Sequence, residues 1–288
     1  MKTALVTGAN GFIGKRLVNS LRSLGYVVYT HDYGNGDISQ KEALDAYPAV
    51  DYVFHLAGLV YVPDSWLHPH DFFRVNVIGT ATALEFCREH QSQFIFISTY
   101  VYGEPHYNPV DEQHAVSPVS PYHESKLQGE RLVRFYADRY ALKATILRVF
   151  NIFGHGQNDM FLIPKVLNQL LDENTACIKV HDLYPRRDFI YVDDVVRAIV
   201  LATKQSANFA LYNVGSGQSY SVEEIIIACI QAAGIQKPYM GEQHQRRGEI
   251  SDCYADITRI WEELGFRPKL SLKDGIGCMI SEYIEGKK

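Results

Sequence analysis

One turn constrains this chain more than any other stretch: Thr7-Gly8-Ala9-Asn10-Gly11-Phe12-Ile13-Gly14. It follows a short apolar run, 3–7. It opens a segment in which Phe12, Ile13, Leu17, Leu21 and Leu24 share one face at helical spacing. Glycine admits a positive φ and the close approach of a second backbone or a ligand. The helix that follows aims its free N–H groups and its positive dipole end at that space, which suits a pyrophosphate. Three glycines alone mean little, but a strand before them and an amphipathic helix after them are the context of a dinucleotide site. Asp32 ends the next apolar run, 26–31. An acid there accepts from an adenosine ribose diol and repels a 2′-phosphate, which favours NAD over NADP. Its alternative role is to start a turn with Tyr33 and Gly34. Asp37-Ile38 follows, a polar–apolar pair suited to an adenine edge.

Further short apolar runs lie at 50–57, 94–97 and 144–149, separated by helical patterns at 71–90 and 121–140. Continuous apolar runs of this length suit strands buried on both faces of a parallel sheet. The alternation predicts an α/β chain with a doubly wound parallel sheet. Beyond residue 155 the pattern loosens. Helices are expected at 161–171, 192–203, 222–233, 257–264 and 272–284, with strands at 177–180 and 211–214. We read residues 1–155 as a dinucleotide-binding domain that the chain re-enters around 185–215, and 156–288 as a smaller α/β substrate-binding region.

The composition removes several function classes. Lys+Arg is 28 against 33 Asp+Glu, with no basic stripe, so a nucleic-acid partner is not expected. No apolar run reaches the roughly 20 residues that span a bilayer, and the first residues lack a secretory pattern. Cys87, Cys177, Cys229, Cys253 and Cys278 are odd in number, with no C-x-x-C. That argues for a reducing, cytoplasmic setting without disulfides. The histidines do not form H-E-x-x-H. His68 and His70 flank Pro69 in a loop-like stretch, so no metal is expected. Asp193-Asp194 reads as a helix start favoured by the dipole rather than as a catalytic pair.

Tyr122 and Lys126 stand four residues apart on the 121–140 helix and so share a face. An ammonium beside a phenol stabilises the phenolate and draws its pKa down from about 10. Such a tyrosine can exchange a proton with a sugar hydroxyl while hydride moves at the carbon. The spacing recurs at Tyr283 and Lys287, outside any strand–helix context, and there carries no meaning. Ser98 ends the buried run 94–97, where ligands of open α/β sheets bind, and is placed to hydrogen-bond the reacting oxygen.

The motifs T-G-A-N-G-F-I-G (7–14), H-L-A-G (55–58), N-V-I-G-T (76–80) and S-T-Y-V-Y-G (98–103) occur in order. They are followed by P-Y-H-E-S-K (121–126), L-R-V-F-N-I-F-G (147–154), R-D-F-I-Y-V-D-D (187–194) and Y-N-V-G-S-G (212–217). As a set they identify the chain as resembling extended short-chain dehydrogenase/reductases of the NAD-dependent epimerase/dehydratase branch. The resemblance spans roughly residues 3–275. It implies a Rossmann domain holding NAD, with NADP possible, and a smaller domain holding a nucleotide sugar. It implies Tyr122 as acid/base and Ser98 as holder of the sugar oxygen. Lys126 would tune Tyr122 and bind the nicotinamide ribose. Gly8, Asn10, Gly11, Phe12, Ile13, Gly14, Asp32, Asp37, Ile38, Leu56, Ala57, Gly58 and Asn76 would line the dinucleotide site with Tyr122 and Lys126. Thr99, Asn151 and the segment Phe161, Leu162, Ile163 would meet the substrate. Arg187 and Arg246 would grip its diphosphate through bidentate forks. The alternative for these arginines is an ion pair, Arg187 with Asp188 or Arg246 with Glu249.

Family members that dehydrate at C4–C6 carry an Asp-Glu pair where this chain has Thr99 and Tyr100. Two enzyme readings remain. One is an NAD-dependent nucleotide-sugar epimerase acting through a transient 4-keto sugar. The other is an NAD(P)H-dependent reductase of a nucleotide-linked 4-keto-6-deoxy sugar. A non-catalytic dinucleotide sensor would not need Ser98, Tyr122 and Lys126 together. The resemblance also implies a homodimer built on the helices at 71–90 and 121–140. Leu84, Leu132, Val133 and Phe135 belong either to that seam or to the sheet side.

Overall fold

The structure is a computed structural model that describes residues 1–242 and 249–285. Five strands, β1 (Thr3–Thr7), β2 (Val27–His31), β3 (Tyr52–His55), β4 (Gln93–Thr99) and β5 (Ala144–Val149), join the strand Phe209–Val214 in one sheet. The order is β2-β1-β3-β4-β5 followed by Phe209–Val214, and every pairing is parallel. This is a Rossmann arrangement. Each strand is apolar on both faces. Phe54, Ile95, Ile97 and Leu147 pack on one side with Leu17, Leu21, Val195 and Ile199. Val53, Phe94, Phe96 and Ile146 pack on the other with Leu84, Cys87, Val133 and Ala137. The first side is covered by α1 (Phe12–Ser23) and the helix Val192–Ala202, the second by α4 (Gly79–His90) and α5 (Pro121–Tyr140). Leu84 and Val133 are therefore sheet-side residues, not seam residues, whereas Phe135 is half exposed.

A second core lies between the helices Leu162–Leu171, Val222–Ala233 and Leu272–Glu285. Ile13 and Ile152 pack against both it and the first core, so the glycine turn sits at the seam. Asp193 and Asp194 lie in the first turn of Val192–Ala202. There Asp193 pairs with Arg16 at 3.2 Å, and Asp194 accepts the backbone N–H groups of Lys269 and Leu270.

The single helix expected over 71–90 is broken. The chain forms α2 (Val62–Leu67), α3 (Pro69–Phe73), a π-helical turn Arg74–Ile78, and then α4. Residues 68–70, read as loop-like, thus lead into α3. Hydropathy cannot report a π turn, because the extra residue leaves the apolar face almost continuous. Its effect is local. Asn76 is buried, accepts Leu59 N–H at 2.8 Å, and donates to Leu59 O at 3.0 Å and Ser125 Oγ at 2.9 Å. This one side chain ties the loop after β3 to α5.

The chain crosses from one side of β1 to the other between β2 and β3, and such a reversal opens a crevice at the strands' carboxyl ends. His55 lies at that point, fully buried and stacked on Phe94 and Phe96. Thr80 donates its hydroxyl to Asn76 O at 2.6 Å, so it must accept from His55 Nε2 at 3.2 Å. His55 Nδ1 is then left to accept from Thr7 Oγ1 at 2.8 Å. Burial, helped by the nearby Lys126 charge, pushes His55 down to about 3. Between that value and the ordinary 6.5, the unfolded chain binds a proton that the folded chain refuses. Stability from this group is therefore present above pH 6.5 and lost as pH falls toward 3. Urea unfolding at pH 7 and pH 5 should show a larger loss in the wild type than in His55→Gln, by up to about 1.4 kcal/mol per pH unit. Equal losses would contradict this assignment.

Candidate active site

The glycine turn is packed to the limit of contact. Gly8 has φ 69°, donates to His31 O at 2.8 Å, and a Cβ on it would lie 2.7 Å from Ala57 N. A Cβ on Gly14 would collide with the Gly8 carbonyl. Gly11 is the N-cap of α1 and offers no side-chain cap, so the first-turn N–H groups of Phe12, Ile13 and their neighbours face the turn. Asn10 Nδ2 donates to Asp32 Oδ2, while Asp32 Oδ1 accepts Gly34 N–H at 2.8 Å. The turn reading of Asp32 is thus realised: one oxygen holds its own turn, and the other is bonded to Asn10 of the glycine loop. Asp37 is occupied by Ser39 and Arg74, which hold its carboxyl below the usual range, the Ser39 N–H and hydroxyl most of all. Ile38 is buried against Gly79. Leu56 and Ala57 follow β3 and are bonded back to Thr7. Gly58 abuts Asn76, where a Cβ would come within 2.9 Å of Oδ1. The donor and acceptor groups of Asn76 are all engaged by protein, so it shapes this wall rather than offering a free group to a ligand.

The helix α5 begins with Ser120 as N-cap, accepting His123 N–H, and Pro121 in its first turn. That start delivers Tyr122 to the carboxyl end of β4. Burial pushes the Tyr122 phenol up to about 12, and the Thr99 hydroxyl offsets part of the rise. Lys126 is buried, with Nζ 4.3 Å from the centre of the Phe96 ring. Burial pushes it down to about 8, opposed by the negative charge of Glu130. The expected lowering of Tyr122 by Lys126 is therefore not made in this state. The ammonium rests on an aromatic face, and desolvation dominates both groups. Ser98 also departs from expectation. It points between the sheet and α5 and donates to Glu130 Oε1 at 2.5 Å, so that Thr99 is the hydroxyl that acts on Tyr122.

On the opposite wall, Tyr100 stacks on Phe150 and donates to Asn151 Oδ1 at 3.2 Å. Asn151 Nδ2 donates to Asp188 O at 3.2 Å. Arg187 pairs with Glu249 at 2.5 Å, not with Asp188, and its field helps to hold the buried His123 down to about 4. Asp188 instead accepts from Ser216, Gly217 and Ala255, fixing the Gly215-Ser216-Gly217 turn. Phe161 caps Leu162–Leu171 and meets Tyr61 edge-on. Leu162 is partly buried. Ile163 is a residue of the second core with its side chain enclosed, which leaves its backbone to face a ligand. Arg246 lies outside the described residues.

Motif reading passed over Glu130, Arg148 and His55. Two signals were available: Glu130 continues the four-residue spacing of Tyr122 and Lys126, and Arg148 is a lone charge in an apolar strand, which demands a buried partner.

The profile of the NAD dependent epimerase/dehydratase family matches residues 4–215. A UDP-glucose 4-epimerase of Azospirillum brasilense is 31% identical, over 94% of this chain and 89% of the relative. The GDP-6-deoxy-D-mannose reductase of Pseudomonas aeruginosa is 29% identical, over 96% of each. The crystal structure of a Thermotoga maritima UDP-glucose 4-epimerase with UDP-glucose superposes with a TM-score of 0.91 at 29% identity, covering 99% of this chain and 100% of that one. Other similar structures are complexes with NAD or with NADPH. The chain belongs to the NAD-dependent epimerase/dehydratase family.

The turn fits that family's dinucleotide, because its N-cap Gly11 leaves the first-turn N–H groups of α1 without a side-chain cap and Asp32 stands across from it. Gly14→Ala should destabilise the fold by about 1–3 kcal/mol and abolish NAD binding. Gly11→Ala, whose Cβ would lie 3.1 Å from Gly8 O, should cost less. Thermal melting of the two variants with and without NAD checks the order.

Proposed function

We propose that the protein is an NAD-dependent nucleotide-sugar epimerase that acts through a transient 4-keto sugar. The observation that carries this is one juxtaposition. The glycine cradle with Asp32, and Tyr122 with Thr99 and Lys126, stand at the carboxyl ends of β1 and β4, parallel strands on either side of β3. The UDP-glucose 4-epimerases among the relatives support it.

When bound, the nicotinamide supplies the chemistry of taking a hydride from a sugar carbon and returning it. Gly8, Asn10, Gly11, Phe12, Ile13 and Gly14 hold the pyrophosphate, and Asp32 the ribose. Asp37, Ile38, Leu56, Ala57, Gly58 and Asn76 form the walls around it. Tyr122 exchanges the proton of the sugar hydroxyl, with Thr99 and Ser98 beside it and Lys126 behind it. Asn151, together with Phe161 and Leu162 of the smaller region 156–288, bounds the sugar nucleotide. Arg187 and Arg246 take its diphosphate, Arg187 by exchanging Glu249 for phosphate oxygens.

One observation favours the second reading, a 4-keto-sugar reductase. Burial pushes the Tyr122 phenol up to about 12, which favours the acid form that completes a reduction, and a GDP-6-deoxy-D-mannose reductase is among the relatives. The two readings part in an NMR assay with a panel of nucleotide sugars and substoichiometric NAD. New anomeric protons rising to equilibrium beyond the amount of NAD are expected. Consumption of NADH or NADPH on 4-keto sugars, with no such exchange, would replace the epimerase by the reductase. Tyr122→Phe should lower kcat by about 10²–10⁴.

We further propose a cytoplasmic homodimer. Its support is the exposed apolar surface of Phe135 and Tyr140 on α5 together with Ile78. No helix among the described residues is long and apolar enough to cross a membrane. In sedimentation velocity the wild type should run as a dimer and Phe135→Glu/Tyr140→Glu as a monomer.

A further inference from the structure

Behind the candidate site lies a buried charge pair that the proposed chemistry does not use. Glu130 and Arg148 are each about 5% exposed. Arg148 Nη2 donates to Glu130 Oε2 at 2.6 Å, and Arg148 Nε reaches Oε1 at 3.0 Å and Oε2 at 3.1 Å. The guanidinium is held from below by the Tyr102 ring, 4.9 Å from its centre, and Tyr102 is bonded to Asn213 at 2.6 Å. Arg148 is the register partner of Ser98 on the neighbouring strand, so the two side chains share the sheet face that α5 covers. Ser98 Oγ meets Glu130 Oε1 at 2.5 Å.

The donor and acceptor inventory fixes the direction of that last bond. A guanidinium only donates, and here its fork occupies both Glu130 oxygens. Glu130 is thereby an acceptor on each, and the Ser98 hydroxyl must be the donor. A serine has one proton and two lone pairs. With its proton committed inward, Ser98 has only lone pairs to offer a ligand.

We propose that Glu130 and Arg148 are positioning residues that fix Ser98 as a hydrogen-bond acceptor, so that Ser98 recognises the sugar in its hydroxyl form and leaves donation to the keto oxygen to Tyr122. This rests on the nucleotide-sugar reading above. It divides the labour between two neighbouring hydroxyls: Thr99 acts on the Tyr122 phenol, and Ser98, its proton held by Glu130, has its lone pairs left for the substrate.

A mutant cycle tests it. The ion pair is removed as a unit with Glu130→Met/Arg148→Met, since apolar replacement of both partners spares the fold where removal of one does not. Ser98→Ala is made alone and in that background. Wild-type turnover of a nucleotide sugar with NAD is measured first; its absence across the panel removes the functional reading on which this one rests, while the orientation of the Ser98 hydroxyl is read separately by NMR. With turnover present, Ser98→Ala and the Met pair should each lower kcat about 10–100-fold, with KM and NAD affinity within about threefold of wild type. Combining them should cost less than about threefold more. A Met pair with wild-type kcat, or losses that multiply, overturns the proposal. A second readout needs no Met pair. The Ser98 hydroxyl proton should give a slowly exchanging, downfield NMR signal, absent in Ser98→Ala and unmoved by nucleotide sugar. A signal that shifts to the ligand overturns the proposal independently of any activity.

Discussion

The structure depends on the contact between the glycine turn and the carboxyl end of β3. At Gly8 and Gly14 backbone meets backbone with no room for a Cβ. Because that contact is steric, it sets the separation of β1 and β3 where the sheet order reverses. Everything at the crevice is referenced to it. Thr7 reaches His55 and Ala57, His55 reaches Thr80, and Asn76 in the adjoining π turn reaches Ser125 on α5. The cradle and the helix bearing Tyr122 are thus joined through short side chains and a neutral imidazole rather than through loops. Hydrogen-bonded polar groups in a dry interior hold direction well, at the cost that each must be satisfied.

Charge is handled on the same terms. Three ionisable groups of α5 point into the structure at successive four-residue steps: Tyr122, Lys126 and Glu130. Only Glu130 has a full counter-ion, Arg148. Lys126 has an aromatic face and the field of Glu130, and burial holds it near 8. Among the described residues Tyr122 has the Thr99 hydroxyl and no counter-ion, and burial pushes it up to about 12. The gradient runs from a charge fully paired in the core to a group unpaired at the crevice. A site that must move a proton needs its least stabilised group where the ligand binds.

The sheet, its flanking helices and the place of the glycine turn were legible in the sequence, because burial on both faces writes continuous apolar runs and a steric limit writes glycine. The extents of 3–7, 144–149, 121–140 and 222–233 agree with the structure residue for residue. The break at residues 74–78 was not legible, since a π turn changes hydrogen bonding and not hydropathy. Nor was the direction of short polar side chains. Spacing placed Ser98 at the strand end but could not say that Glu130, 32 residues on, takes its proton. Arg187 shows the same limit: the alternative to its phosphate role was a pair with the neighbouring Asp188, yet Asp188 holds a turn and Glu249 pairs with Arg187. Proximity in sequence is a poor guide to partners where strands bring distant segments side by side.

The proton on Tyr122 bears on how one site serves either reading. An epimerase must run the phenol as base and then as acid on the same sugar, and a reductase needs only the acid. Burial alone leaves the acid form at neutral pH. Taking a proton from the sugar hydroxyl therefore requires a further favourable term for the phenolate, which cationic groups or added hydrogen bonds near it supply. Lys126 is the residue so placed, four residues along the same helix face and lifted off the phenol by a contact with Phe96 that is weak beside an ion pair. The difference between epimerase and reductase is then one of electrostatic balance at a shared constellation. Relatives with both chemistries align with this chain over nearly its whole length.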